Sequence, residues 1–255
     1  MFKPQRYKSC LLCFFISLGL MGPASHAICD DLSPKEILHK ADESRGNLEG
    51  IKWSVQVDSV ENNEKQDRLL NVSARGYDFL AILMDPPKVR GHKLLMIDHN
   101  MWYMKPGLKK PVPISSKQKL VGGAAYGDIA ATNYANDYEP TPLAEETVNG
   151  LLCYVFDLKA INKKTTYDQI KYWIDKERLV GVKADFYTVS GKLFKSATFE
   201  YDNQIVIDSM DRPFISKMTI TDAMIEGNIT HLIFIDQKIM QLPDSTFDLN
   251  LFMTR

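Results

Sequence analysis

The sequence predicts a mainly β fold of the α+β kind, a large curved antiparallel sheet with a few helices covering its concave face. Three observations predict it. Most of the chain beyond Gly50 alternates apolar and polar residues with period two. The alternating runs are separated by short turn sequences such as DHN, VSGK, YDNQ and EGN, and sequential strands joined so closely pair antiparallel. Beyond the N-terminal leader, only one stretch carries a full set of helix signals, so helix is scarce.

The leader comes first. Lys3, Arg6 and Lys8 precede the apolar stretch CLLCFFISLGLMG, too short to cross a bilayer comfortably, and PASHA ends it with small residues at Ser25 and Ala27. Residues 1–27 therefore read as a secretory signal peptide cleaved after Ala27, and residues 28–255 as a single domain. His26 and bulky Ile28 argue against lipid attachment at Cys29. Without the leader, 228 residues remain, with 28 Lys and Arg against 32 Asp and Glu, a formal charge of −4. That balance gives no support to nucleic-acid binding, and the length suffices for a substantial core. Cys29 and Cys153 are the thiols that remain, and an oxidising compartment leaves both a Cys29–Cys153 disulfide and a buried free Cys153 open.

The helix signals lie in LSPKEILHKADESRG: Ser33 as N-cap, Pro34 at the first helical position, Glu36 three past the cap, and Gly46 as the stop. Ile37, Leu38 and Ala41 form its apolar stripe. Strands follow. In IKWSVQVDSV, Ile51, Trp53, Val55 and Val57 share one face, and LLNVSARG continues with Leu70, Val72 and Ala74. Further strands are predicted in YDFLAILM, HKLLMID, MWYMK, LLCYVFDLKA, TYDQIKYWID, LVGVKADFYT, KLFKSATFEYD, QIVID, FISKMTITD and THLIFIDQK. The segment from Pro111 to Glu146 reads as a poorly periodic insertion with one short helix starting near Asp128.

Catalytic and metal-binding patterns are missing. There is no nucleophile elbow, no zinc-protease helix motif, no phosphate-cradling glycine loop and no paired-cysteine metal spacing. His39, His92, His99 and His231 stand alone, and the oxygen-rich stretch DIAATNYANDYE matches no calcium loop. The reading is a non-enzymatic protein without metal or cofactor. What remains is apolar surface, because a curved sheet has more concave area than one helix covers. Trp53, Val55, Val57, Met96, Trp102, Met104 and Trp173 are the candidate lining of an open apolar cavity, with Trp102 and Met104 on the inward face of MWYM and Tyr103 near water.

Between residues 91 and 130, GHKLLMIDHNMWYMKP, KKPVPIS and LVGGAAYGDIA carry a resemblance, and VNGLLCYVFDLKA, YDQIKYWIDKE, DRPFISKMTITD and LPDSTFDLNLF follow in matching order. The chain resembles the outer-membrane-lipoprotein-sorting-like proteins, the superfamily of the periplasmic lipoprotein carrier (LolA-like). The resemblance implies a half-open barrel and a periplasmic protein that shields a lipid or lipoprotein acyl chain. It also implies an inner-membrane exporter or outer-membrane acceptor as partner. An accessory or sensor subunit with the same fold is the alternative it leaves open.

Overall fold

The computed structural model describes residues 32–130 and 132–254; the leader and Cys29 lie outside the described residues. Helix α1 (Pro34–Glu43) begins where its signals place it. Ser33 Oγ accepts the Glu36 backbone N–H at 3.4 Å, and the Glu36 carboxylate accepts the Ser33 backbone N–H at 2.7 Å, a reciprocal cap behind Pro34. Ile37, Leu38 and Ala41 are buried. Gly46 follows the helix at φ +96°, a left-handed conformation that side chains resist.

The first run of strands is β1 (Ile51–Glu61), β2 (Glu64–Arg75), β3 (Asp78–Asp85), β4 (Lys93–Ile97) and β5 (Asn100–Met104). Three short strands come next, β6 (Val112–Ile114), β7 (Lys119–Val121) and β8 (Ala124–Ala125), before a 3₁₀ turn over Tyr126–Ile129 and the short α2 (Tyr134–Asp137). The chain then continues through β9 (Tyr138–Val148), β10 (Leu151–Ala160), β11 (Gln169–Asp175), β12 (Gly181–Tyr187) and β13 (Leu193–Glu200). It ends with β14 (Asn203–Ile207), β15 (Met210–Phe214), β16 (Lys217–Asp222), β17 (Ile229–Ile239), a 3₁₀ turn over Asp244–Phe247 and α3 (Leu249–Thr254). One 13-stranded antiparallel sheet runs from β6 at one edge through β5, β4, β3, β2 and β1 to β17, β16, β13, β12, β11, β10 and β9. Strands β14 and β15, and likewise β7 and β8, form separate two-stranded ribbons.

This sheet rolls. β5 and β9 are eleven strand steps apart, about 50 Å in a flat sheet at ~4.8 Å per step. Yet His99, in the turn before β5, meets Asp137, just before β9, at 2.7 Å, and Lys164 donates to Asn100 at 3.0 Å. Only strand twist accumulated across the sheet can bring those flanks together. Among the described residues the edges β6 and β9 still remain unpaired, so the barrel is half open. Both edges carry proline, Pro113 in β6 and Pro140 and Pro142 in β9, which withhold backbone donors where another chain could pair.

Period two sets the core. The inner face gathers Ile51, Trp53, Val55 and Val57 with Leu70, Val72, Ala74, Phe79 and Ala81 against α1 and α2. On β5 the parity is the reverse of the expected one. Met101 is buried in the inner core and Tyr103 packs against it, whereas Trp102 and Met104 join Leu95, Phe247 and Phe252 on the outer face. The cause is the C-terminal segment, whose 3₁₀ turn and α3 cover that outer patch, while the Tyr103 hydroxyl meets His92 Nδ1 at 2.7 Å and does not need water. Most of strand β9 lies inside the segment read as an insertion; its prolines and exposed side chains hide its periodicity. Strand β15 and α3 were likewise not foreseen, and the helix expected near Asp128 is the turn at Tyr126–Ile129 with α2 beyond it.

Candidate functional site

The inner face is roofed by α1 and α2, and one carboxylate joins the two. Asp42, fully buried near the end of α1, accepts the backbone N–H of Ala135 at 2.8 Å and so holds the first turn of α2. Burial pushes its pKa up to about 7, against the pull of the Ala135 and Tyr134 N–H groups and of Arg45. A second link is the His99–Asp137 contact at 2.7 Å, with the Tyr77 ring 4.3 Å from the imidazole. Burial raises the Asp137 carboxyl, and His99 and Tyr77 oppose that rise.

Arg45 follows the helix and turns inward. It is 7% exposed, with its guanidinium carbon 4.4 Å from the Phe199 ring centre and 5.4 Å from that of Tyr134. Tyr134 and Tyr172 pack edge to face at 5.3 Å, and Tyr172 packs on Phe199 at 6.2 Å, so the cation sits in an aromatic box. Gly181 is part of that box, since a Cβ there would lie 1.8 Å from the Tyr172 hydroxyl.

The interior is filled. Leu38, Tyr138, Tyr172, Phe186 and Phe214 are fully buried. The cavity that Arg45 lines with Tyr77, Met96, Tyr134 and Tyr138 measures about 60 Å³, far below the ~300–1,000 Å³ of a ligand pocket. The expected open hollow is thus closed in this conformation. Space lies instead in a surface groove of about 1200 Å³ beside the end of α1, where Leu48, Val206, Ile207, Ile239, Met240 and Leu242 meet. Val206, Ile239 and Met240 are exposed there.

The structure brings Trp53, Val55, Val57 and Met96 together on the inner face, with the Trp53 ring close against Gly46 and 6.4 Å from Phe214. It does not bring Trp102, Met104 and Trp173 to them. Trp173 lies on the outer face with Cys153 and Val155, donates its indole N–H to Glu146 at 2.8 Å, and is covered by the Lys171 and Lys183 ammonium groups at 4.7 and 4.2 Å from its rings. Alternation on β11 gives the inner positions to Ile170, Tyr172 and Ile174, which leaves Trp173 facing out. Cys153 is buried beside it and donates to the Leu151 carbonyl at 3.4 Å; Cys29, the other thiol of the disulfide left open by the sequence, lies outside the described residues.

The motif VGGAAYGDIA closes one end of the barrel. Asp128, 7% exposed, accepts from the Ala125 N–H, from the Tyr167 hydroxyl at 2.7 Å and from Lys195 at 2.9 Å. Gly122, at φ +55°, leaves no room for a side chain against Ser59 and Thr230. Among the described residues no cluster of three His, Cys, Asp or Glu is placed to hold a metal ion, and no helix is long and apolar enough to cross a membrane.

A rolled, unclosed antiparallel sheet roofed by two helices on its apolar face is the architecture of lipoprotein-sorting-like carriers. Comparison with known proteins agrees. A family model described as "Uncharacterized protein" matches residues 76–254. A LolA superfamily protein of Nitrosomonas europaea is 29% identical, with a TM-score of 0.77 over 86% of this chain and 98% of that one. A protein of Vibrio parahaemolyticus described as an outer membrane lipoprotein-sorting protein domain is 21% identical, with a TM-score of 0.73 over 86% of this chain and 97% of the other. A DUF1329 family protein of Desulfovibrio piger is 20% identical, with a TM-score of 0.72 over the same shares. None of the curated proteins matches. The chain belongs to the family whose model spans residues 76–254, and its fold is LolA-like.

Proposed function

We propose that this protein is a non-enzymatic periplasmic carrier that takes up the apolar chain of a lipid or lipoprotein and shields it from water on the way to the outer membrane. The structure is then its closed, unloaded form. The observation that carries the reading is the groove of about 1200 Å³, whose apolar floor of Leu48, Val206, Ile207, Ile239 and Met240 is bordered by the charged Glu43, Glu49, Arg75 and Asp208, lying where α1 turns through Gly46 into β1. A chain entering there needs only the α1–α2 roof to part from the sheet, and a glycine at φ +96° is a suitable pivot. Burying an acyl chain is favourable by about 0.8 kcal/mol per methylene, so a chain of a dozen carbons supplies roughly 10 kcal/mol towards opening the roof and holding the cargo. Transfer follows when an outer-membrane acceptor offers a better-fitting pocket, and an inner-membrane exporter is the corresponding donor.

Native mass spectrometry of the protein extracted gently from its own envelope tests the reading. A discrete added mass matching a lipid or lipoprotein is expected. An unliganded mass, together with retention on a membrane protein, would replace the carrier by an accessory or sensor subunit of the same fold.

A further inference from the structure

Among the described residues, seven buried side-chain polar atoms have no hydrogen-bond partner, and five of them belong to Asp42, Arg45, Tyr172 and Tyr201. Buried polar atoms are ordinarily satisfied, so such a concentration at one place calls for a cause. Arg45 contributes Nε and Nη1, and the hydroxyls of Tyr172 and Tyr201 lie within its electrostatic reach. Arginine stays protonated, and no carboxylate forms an ion pair with Arg45 among the described residues. The tyrosines cannot neutralise it, because burial raises their hydroxyl pKa values and keeps them uncharged. Asp42 faces it without ion-pair contact and carries only part of a charge at neutral pH. The aromatic faces of Phe199 and Tyr134 and the C-terminal end of α1 supply partial negative charge, less than one unit. A buried cation without a full counter-charge is costly, and the two unpartnered hydroxyls beside it are donors as well.

We propose that Arg45, with the Tyr172 and Tyr201 hydroxyls, binds the anionic head of a single-chain amphiphile, a carboxylate or phosphate carried on an apolar chain. The site deepens the carrier reading and rests on it, since the tail needs the parted roof and the inner faces of Trp53, Val55 and Val57. The cavity of about 60 Å³ that Arg45 lines with Tyr134 has room for a head group and not for a chain; Asp128 and Asp137 also line it, and the Tyr172 and Tyr201 hydroxyls stand outside its lining, so they reach the anion only once the roof has parted. A protonated Asp42 adds a further donor to the same anion, and its unpartnered Oδ1 is available for that purpose.

Displacement of a neutral apolar dye from the delipidated protein tests this, with dodecanoate, dodecyl phosphate, 1-dodecanol and inorganic phosphate as competitors. The two anionic amphiphiles should bind roughly tenfold or more tighter than the alcohol of equal chain length. Arg45→Met should bring that ratio to about one while alcohol binding persists. Tyr172→Phe should reduce the ratio partway, and it keeps the proposal testable if the arginine variant does not fold. Equal affinity of acid and alcohol overturns the head-group site and leaves the carrier standing. Failure of all three chain compounds to displace the dye removes both. Arg45-dependent binding of inorganic phosphate as tight as that of dodecyl phosphate also overturns the proposal, leaving a free-anion site.

Discussion

At the scale of the residue, the account turns on Asp42 and Arg45. Helical spacing carries the apolar stripe from Leu38 to Asp42 and Arg45, four and seven residues on, so their inward orientation was legible in principle. It was not read from the sequence, because charges at the end of an amphipathic helix ordinarily face water and only the roof over the sheet buries these two. Asp42 has a pH consequence. Its folded pKa of about 7 lies above the unfolded value of about 4, so the folded state holds the proton more tightly. Stability is therefore greatest below pH ~4 as far as this group is concerned, and it declines as the pH rises through that window. Asp42→Asn should flatten the decline; urea unfolding at pH 5 and pH 8 reads it, and an unchanged slope would show that Asp42 is ionised in the fold. Gly181→Ala offers a second check. A Cβ placed 1.8 Å from the Tyr172 hydroxyl has to displace that ring, so a cost of about 1–3 kcal/mol is expected from overpacking, and an unaltered melting temperature would contradict the packing described.

At the scale of the element, strands β1 to β5 and most of β10 to β17 were legible because each has one dry face. Strand β9 was not, since an edge strand bearing Pro140, Pro142 and exposed side chains has neither alternation nor β-propensity to show. The face of β5 was misread for a related reason: the outer side of MWYM is dry as well, under a C-terminal segment whose contribution a local pattern cannot reveal. Trp102 and Met104 thus serve the attachment of α3 and not the inner face. Phe252→Ala, at a side chain 4% exposed, should cost about 3 kcal/mol or more in thermal or urea unfolding and leave uptake of an apolar dye by the folded protein unchanged. Loss of uptake without loss of stability would place that patch in the cargo site.

For the whole molecule, the rolled sheet and its half-open form follow from twist and from proline-guarded edges, and the curved antiparallel class was evident from period two with short turns. The filling of the interior was not. Whether a concave face is hollow or plugged depends on how far α1 and α2 settle onto it, and periodicity reports only which side chains face inward. The central claim is that the roof must lift for cargo to enter. Its most direct test joins α1 to β9, where Lys35 and Glu139 already approach to 3.5 Å, by a short reducible bis-maleimide between Lys35→Cys and Glu139→Cys. The bridged protein should take up no dodecanoate and regain uptake when the bridge is reduced; uptake undiminished by the bridge would contradict the account.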